Sequence, residues 1–248
     1  MEKRGQSHFY DNNFIVFGHR GVPNLLQENT MESFMKAIEL NFTGIELDVV
    51  ETKDQKLIIH HDLFMKTRDG SKNICDIYHR ELVKQKPRTP SLKQVLSSIG
   101  HKTNINIEIK HQKDREDSVV KETIRQLKKY SLIDNIVISS FNSRIIKKIK
   151  EEDDRFATAL IIGKTSFWSD LLATKLWKNL KIDAIHINHK ITSSKIIKKA
   201  RRRNLKVLCY TVNDKKTFVK IKKLGVDGIF TDNPEILHVS RDQGDQKS

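Results

Sequence analysis

A chain of 248 residues, 37% hydrophobic and 31% charged, has enough apolar content for one sizeable core but no apolar run long enough to cross a bilayer. Its 46 basic residues against 31 acidic ones give a net charge of +15, and no cationic leader with an apolar stretch precedes Asn13. The two cysteines, Cys75 and Cys209, lie far apart, so composition excludes a disulfide scaffold and fits a soluble protein of the reducing cytoplasm.

The first apolar run, Asn13 to Phe17, is short enough for a buried strand, and Gly18-His19-Arg20-Gly21 closes it with turn residues. His19 and Arg20 are thereby placed at a strand's C-terminal end. Asn29-Thr30 offers a helix N-cap before Met31 to Leu40, where Met31, Phe34, Ala37 and Ile38 recur at helical spacing. Gly44 opens Ile45-Glu46-Leu47-Asp48-Val49, which alternates strictly, so Glu46 and Asp48 share one face of a strand. Two acids on one face demand a counter-ion if buried; the alternative is an edge strand with a solvated face. After a turn at Lys53-Asp54-Gln55, Leu57-Ile58-Ile59 delivers His60, His61 and Asp62 at its end, and only one of the two histidines can enter a given site if the strand continues through them.

Asn104 to Lys110 alternates again, with Asn106, Glu108 and Lys110 on the face opposite the isoleucines. Glu46, Asp48 and Glu108 thus form a set of three carboxylates from two strands. Such a set suits one hard divalent cation, Mg²⁺ or Ca²⁺, better than zinc, because neither cysteine has ligand spacing to a histidine.

The rest of the chain alternates helix and strand. Helices are predicted at 117–130, 143–151, 167–178, 193–203 and 214–224 and from Pro234, with strands at 136–139, 157–161, 184–187, 206–210 and 228–231. With the strands at Phe14, Ile45 and Ile105 this makes eight, and the length matches a single-domain α/β fold, the (β/α)₈ TIM barrel, over residues 1–248 with a frayed tail at 241–248. In that fold active sites lie at the C-terminal ends of the strands, where His19, Glu46, Asp48 and Glu108 fall. The lysine clusters at 147–148, 198–203 and 215–223 fall on outer helices and read as solvated faces. The alternative is a basic surface that attracts anionic headgroups or RNA without sequence specificity; no RNA-binding signature supports specific nucleic-acid recognition.

The ordered motifs HRG at His19, ENT at Glu28, SF at Ser33, GIELDV at Gly44, TKD at Thr52, HD at His61 and TRDG at Thr67 resemble the N-terminal half of the glycerophosphodiester phosphodiesterase family. PSLKQVL at Pro90, NIEIK ending at Lys110, ISSF at Ile138, TVN at Thr211 and GVDGIFTDNP at Gly225 are similar to the rest, in the compact bacterial form. The resemblance implies a phosphoric diester hydrolase of lipid and glycerol metabolism in which Glu46, Asp48 and Glu108 hold the cation. It makes His19 and His61 the acid/base pair, Arg20 a ligand of a phosphate oxygen, and Lys110 a neutralising charge. Glu28 and Asp62 become the groups that orient these, and Tyr210 an aromatic wall where many relatives carry tryptophan. His60 occupies a place usually apolar in relatives.

The implied substrate is a small glycerophosphodiester, cleaved to sn-glycerol 3-phosphate and an alcohol. A cyclic-phosphate route and direct water attack both fit these residues. The other readings are a lysophospholipase D-like or cyclising enzyme on the same site and a barrel that binds phosphodiesters without turnover. The polar, basic stretch from Leu63 to Arg88 favours a soluble substrate over a long-chain lipid.

Overall fold

The computed structural model describes residues 8–10, 14–67, 70–163 and 180–242. Its strands are β1 (Ile15–Gly18), β2 (Gly44–Glu51), β3 (Leu57–Ile59), β4 (Phe64–Thr67), β5 (Gly70–Asn73), β6 (Asn104–Ile109), β7 (Ile136–Ser140), β8 (Ala157–Ile162), β9 (Ala184–Asn188), β10 (Lys206–Tyr210) and β11 (Gly228–Thr231). The described helices are α1 (Met31–Glu39), α2 (His79–Gln85), α3 (Leu92–Ile99), α4 (Glu116–Lys129), α5 (Ser143–Glu152), α6 (Ser194–Arg201), α7 (Lys215–Lys223) and α8 (Glu235–Asp242). The helix expected at 167–178, Arg68 and Asp69 of the TRDG motif, and residues 243–248 of the expected tail lie outside the described residues. Helix α8 reaches Asp242, two residues into the segment expected as tail.

Eight parallel strands close into a barrel: β1 pairs with β2 on one side and β11 on the other, and β6 to β10 complete the ring in order. The (β/α)₈ expectation holds. Side-chain parity explains how one sequence serves two layers. Outward residues such as Ile45, Leu47, Ile105, Ile107, Ile185 and Val207 join the helices in the main core, while Ile15, Phe17, Val137, Ala157, Ala159, Ala184, Leu208 and Phe230 face one another inside. Strand β2 is buried along its whole length, so the solvated-edge reading of Glu46 and Asp48 is wrong. It lies between β1 and β6, and barrel closure leaves it no open edge.

The alanines of β8 and β9 leave space inside the barrel near the strand starts. Phe9 and Tyr10 of a short 3₁₀ turn, His8–Tyr10, fill it. A column of rings then climbs from Phe9, stacked on Phe17 (6.0 Å), to Phe230, stacked in turn (5.0 Å), and to a tilted His186 (4.8 Å). Burial depresses His186 to a pKa of about 3. The unfolded chain takes up this proton below about pH 6.5 while the folded chain refuses it, so stability falls as pH drops from there towards 3. Between pH 7 and 4.5 the loss from this one group is about 2.5 kcal/mol, at roughly 1.4 kcal/mol per unit below 6.5. Unfolding free energies from urea titrations at the two pH values should therefore differ by that much less in His186→Gln, and an equal loss in both proteins would refute the assignment.

Between β2 and β6 the chain departs from simple alternation. Strand β3 turns back antiparallel on β2, pairing Val49 with Ile59 and Glu51 with Leu57. The hairpin β4/β5 and helix α2 then form a small outlying layer with its own core of Val50, Ile58, Met65, Ile74, Ile77 and Leu82. The stretch from Leu63 to Arg88 is thus a folded unit, not merely a polar connection. Helix α3 carries a capping box between Ser91 and Gln94, a signal that the sequence displays and that an apolar-run reading passes over.

Candidate active site

Strand register assembles the site. The β2/β6 ladder sets Glu46 opposite Asn106 and Asp48 opposite Glu108, so the acids expected to share a face meet across neighbouring strands. Carboxylate oxygens of Glu46, Asp48 and Glu108 all lie within 4.8 Å of one another, and the residues are 2%, 1% and 8% exposed. Lys110 Nζ sits 2.7 Å from Asp48 Oδ1 and 2.6 Å from Glu108 Oε1, and Arg20 Nε lies 3.3 Å from Asp48 Oδ2. Lys110 therefore bridges two acids instead of standing free.

Burial and the neighbouring Asp48 push the Glu46 carboxyl up to about 8. Burial also outweighs Lys110 in raising Glu108, whereas at Asp48 the opposing pull of Lys110 and Arg20 overcomes burial and keeps its pKa low. With all three acids ionised, as a bound cation requires, Arg20 and Lys110 leave one negative charge unmatched. Asn106 Oδ1 is buried without a hydrogen bond, and Asp48 Oδ1 meets the Lys110 ammonium at 2.7 Å. An all-oxygen set short of positive charge fits a hard divalent cation, with Glu46, Asp48 and Glu108 as the residues that would hold it.

Each candidate histidine is tied to an aspartate through Nδ1. His19 follows β1, whose Gly18 pairs with Thr231, and this register sets the ring beside Asp232: Nδ1 lies 2.7 Å from Asp232 Oδ1. Burial lowers the His19 pKa, but the Asp232 hydrogen bond and the Glu46 charge outweigh it, and the net shift is upward. His61 Nδ1 lies 2.8 Å from Asp62 Oδ1, a bond that holds the Asp62 carboxyl below its usual range. Both rings keep Nε2 for other partners; that of His19 is 3.9 Å from Glu46 Oε2. Strand β3 ends at Ile59, and the His60 N–H donates to Asp48 O at 2.9 Å, which folds the His60-His61 pair back to the level of the carboxylates. His60 turns aside to Asp62 O and Lys86 Nζ, while His61 lines the cavity.

Arg20 occupies the left-handed region at φ 55, a conformation that costs a residue with a Cβ about 1–2 kcal/mol. In return its N–H donates to Glu46 Oε2 at 2.9 Å, and its guanidinium donates to both Glu28 oxygens at 3.0 and 3.1 Å. Glu28 thus steadies Arg20. Gly21 must be glycine because a Cβ there would lie 2.3 Å from Ser33 Oγ, at φ +90. Tyr210 lines the cavity with Phe141 set edge-on at 6.3 Å, and its hydroxyl donates to Ile162 O.

His19, Arg20, Glu46, His61, Glu108, Lys110 and Tyr210 line one cavity of about 170 Å³, and Asp48, Glu28 and Asp62 contact its lining residues. The structure adds residues that sequence reasoning did not single out. Asn29 donates from Nδ2 to Asp48 Oδ2 at 2.9 Å, and Asn213 donates to Asp232 Oδ2. Phe141 and His186 complete the walls, with Asn106, which alternation sets on the Glu108 face. Asp232 and Asn213 stand in the TDNP and TVN motifs, so their signal lay in residues already noted for resemblance; their partnership with His19 depends on barrel closure.

The family profile described as "Glycerophosphoryl diester phosphodiesterase family" matches residues 19–236. The chain is 29% identical over 238 residues to a glycerophosphodiester phosphodiesterase of Caldanaerobacter subterraneus subsp. tengcongensis, covering 90% of this chain and 96% of the relative. The crystal structure of a glycerophosphodiester phosphodiesterase from Thermotoga maritima superposes with a TM-score of 0.76 at 27% identity, covering 91% and 97% of the two chains. An Oleispira antarctica phosphodiesterase, solved with the product sn-glycerol-3-phosphate, superposes at 0.81 with 24% identity over 94% and 98%. A closed barrel with two aspartate-anchored histidines beside three carboxylates, matched along nearly its whole length, places this chain in the glycerophosphoryl diester phosphodiesterase family of enzymes.

Proposed function

We propose that the protein hydrolyses glycerophosphodiesters to sn-glycerol 3-phosphate and an alcohol with the aid of one Mg²⁺ or Ca²⁺ ion. The observation that carries this reading is the pair of imidazoles, each held at Nδ1 by an aspartate, beside the Glu46, Asp48 and Glu108 cluster. The product bound by the Oleispira phosphodiesterase supports the same outcome.

A bound divalent cation supplies Lewis-acid stabilisation of charge on phosphoryl oxygens. The remaining work belongs to side chains. Arg20, steadied by Glu28, holds a phosphate oxygen, and Lys110 adds positive charge beside it. One imidazole Nε2 takes the proton of the nucleophile, and the other gives a proton to the departing alkoxide. Asp232 and Asp62 fix the working tautomers by accepting Nδ1–H. Tyr210 and Phe141 form an aromatic wall for the substrate's carbon skeleton.

Release of sn-glycerol 3-phosphate from glycerophosphocholine, abolished by EDTA and restored by one cation, tests the proposal. No release under any condition would overturn it. Asp232→Asn should lower kcat about 10–100-fold with little change in KM, because the amide can present its N–H to Nδ1 and favour the wrong tautomer. An unaltered kcat would remove Asp232 from the mechanism.

A second reading is favoured by one finding. Phe141 of the cavity wall is exposed, as are Leu25 and Leu26 after β1 and Phe64 of β4. Such an apolar rim suits the acyl chain of a lysophospholipid. A kcat/KM for lysophosphatidylcholine above that for glycerophosphocholine would select this reading, and the reverse order would select the deacylated substrate.

A further inference from the structure

The positive charge of this chain is concentrated. Residues 190–226 carry 13 lysines and arginines against the single acid Asp214, a net +12 of the total +15. They build α6, β10 and α7, consecutive elements on one side of the barrel. On α4 and α5 several cations are met by acids: Arg125 by Glu122, Lys128 by Asp153, Lys147 by Glu151 and Lys148 by Asp117. On α6 and α7, Ile197, Ala200, Phe218 and Ile221 are buried, whereas Lys195, Lys198, Lys216, Lys220 and Lys223 are exposed without an ion pair among the described residues.

A helix face that only needs solvation mixes both signs, because like charges four residues apart repel. Here Lys195 and Lys199, Lys198 and Arg202, and Lys216 and Lys220 are spaced in that unfavourable way. Arg201 also locks the two clusters together: its guanidinium donates to Gly225 O at 3.0 Å and lies 2.9 Å from Asp227. The last turns of α6 and α7 therefore sit side by side beside the start of β11, at the end of the barrel opposite the His19 and His61 rings.

We propose that this face binds an anionic phospholipid surface electrostatically, holding the enzyme beside the bilayer. Two neighbouring helix faces that carry exposed cations match a broad charged plane. Of the aromatic residues between 190 and 226, Phe218 is buried and Tyr210 lines the cavity, which leaves none to stack on nucleic-acid bases. The glycerophosphodiester of the proposed function is the deacylated core of a phospholipid, so the reaction that supplies it occurs at such a surface; this last support rests on that reading.

The test is sedimentation of the full chain with phosphatidylglycerol and with phosphatidylcholine vesicles, at about 0.05 and 0.5 M salt. Binding is expected only to the anionic vesicles at low salt. It should weaken at least about a hundredfold in the fourfold variant Lys195→Glu, Lys198→Glu, Lys220→Glu, Lys223→Glu. A control with the same change of charge at Lys93, Lys102, Lys121 and Lys129 should keep most of the affinity. Equal loss in both variants, no binding by the unaltered chain, or tighter binding to polyuridylate at equal phosphate concentration would each overturn the proposal. Hydrolysis of soluble glycerophosphocholine by the fourfold variant should match the unaltered protein. A chain inactive on that substrate would fail the functional reading while leaving the vesicle result to stand alone.

Discussion

His61→Ala is expected to lower kcat for glycerophosphocholine at least about a hundredfold, the usual contribution of a general acid or base. The fold should survive. His61 lies beyond the end of β3 with its side chain 37% exposed, and Asp62 is its hydrogen-bond partner. Substitutions at such positions change stability by about 0.5 kcal/mol or less, so the thermal midpoint should barely move. His60→Ala is the matched control, because that ring engages Asp62 O and Lys86 outside the cavity. It should keep turnover within about threefold, in line with a contact remote from the reacting atoms. Retention of more than about a tenth of the rate by His61→Ala, or an equal loss in both variants, would count against the two-histidine mechanism.

Glu46→Gln is expected to raise the cation concentration needed for half-maximal activity by about tenfold or more, since removing one of three charged oxygen ligands weakens a hard-cation site. A second readout needs no turnover. In the metal-free protein, burial and Asp48 push the Glu46 carboxyl up to about 8 from its ordinary 4.5. Because the folded form binds this proton more tightly than the unfolded chain, the stabilisation is complete below pH 4.5 and disappears as pH rises through about 8. The rise in melting temperature on adding Mg²⁺ or Ca²⁺ should therefore grow between pH 5 and 9, and this growth should shrink in Glu46→Gln. A pH-independent rise, identical in both proteins, would show that the ion binds elsewhere.

Much of the architecture was legible in residue order because its causes are local. Strict alternation at Ile45 to Val49 and Asn104 to Ile109 decides which side chains share a face, and the structure puts the isoleucines of both strands in the outer core. Thr30 caps α1 as its position before an apolar period predicts. The outlying layer was less legible. Its core is assembled from single apolar residues scattered between Val50 and Leu82, and no period in the sequence announces them.

What the sequence determined by itself was the chemistry on offer: two histidines and three acids at strand ends, and the eight-strand alternation that carries them. Tertiary structure decided which of these groups work as partners. The register of β2 on β6 sets Asp48 opposite Glu108, the turn back through β3 selects His61 over His60 for the cavity, and closure of β11 on β1 brings Asp232 to His19 across 213 positions of chain. Periodicity fixes a side chain's direction within its own element, whereas the distance between side chains of different elements depends on strand register and barrel closure, which arise only when the whole core packs.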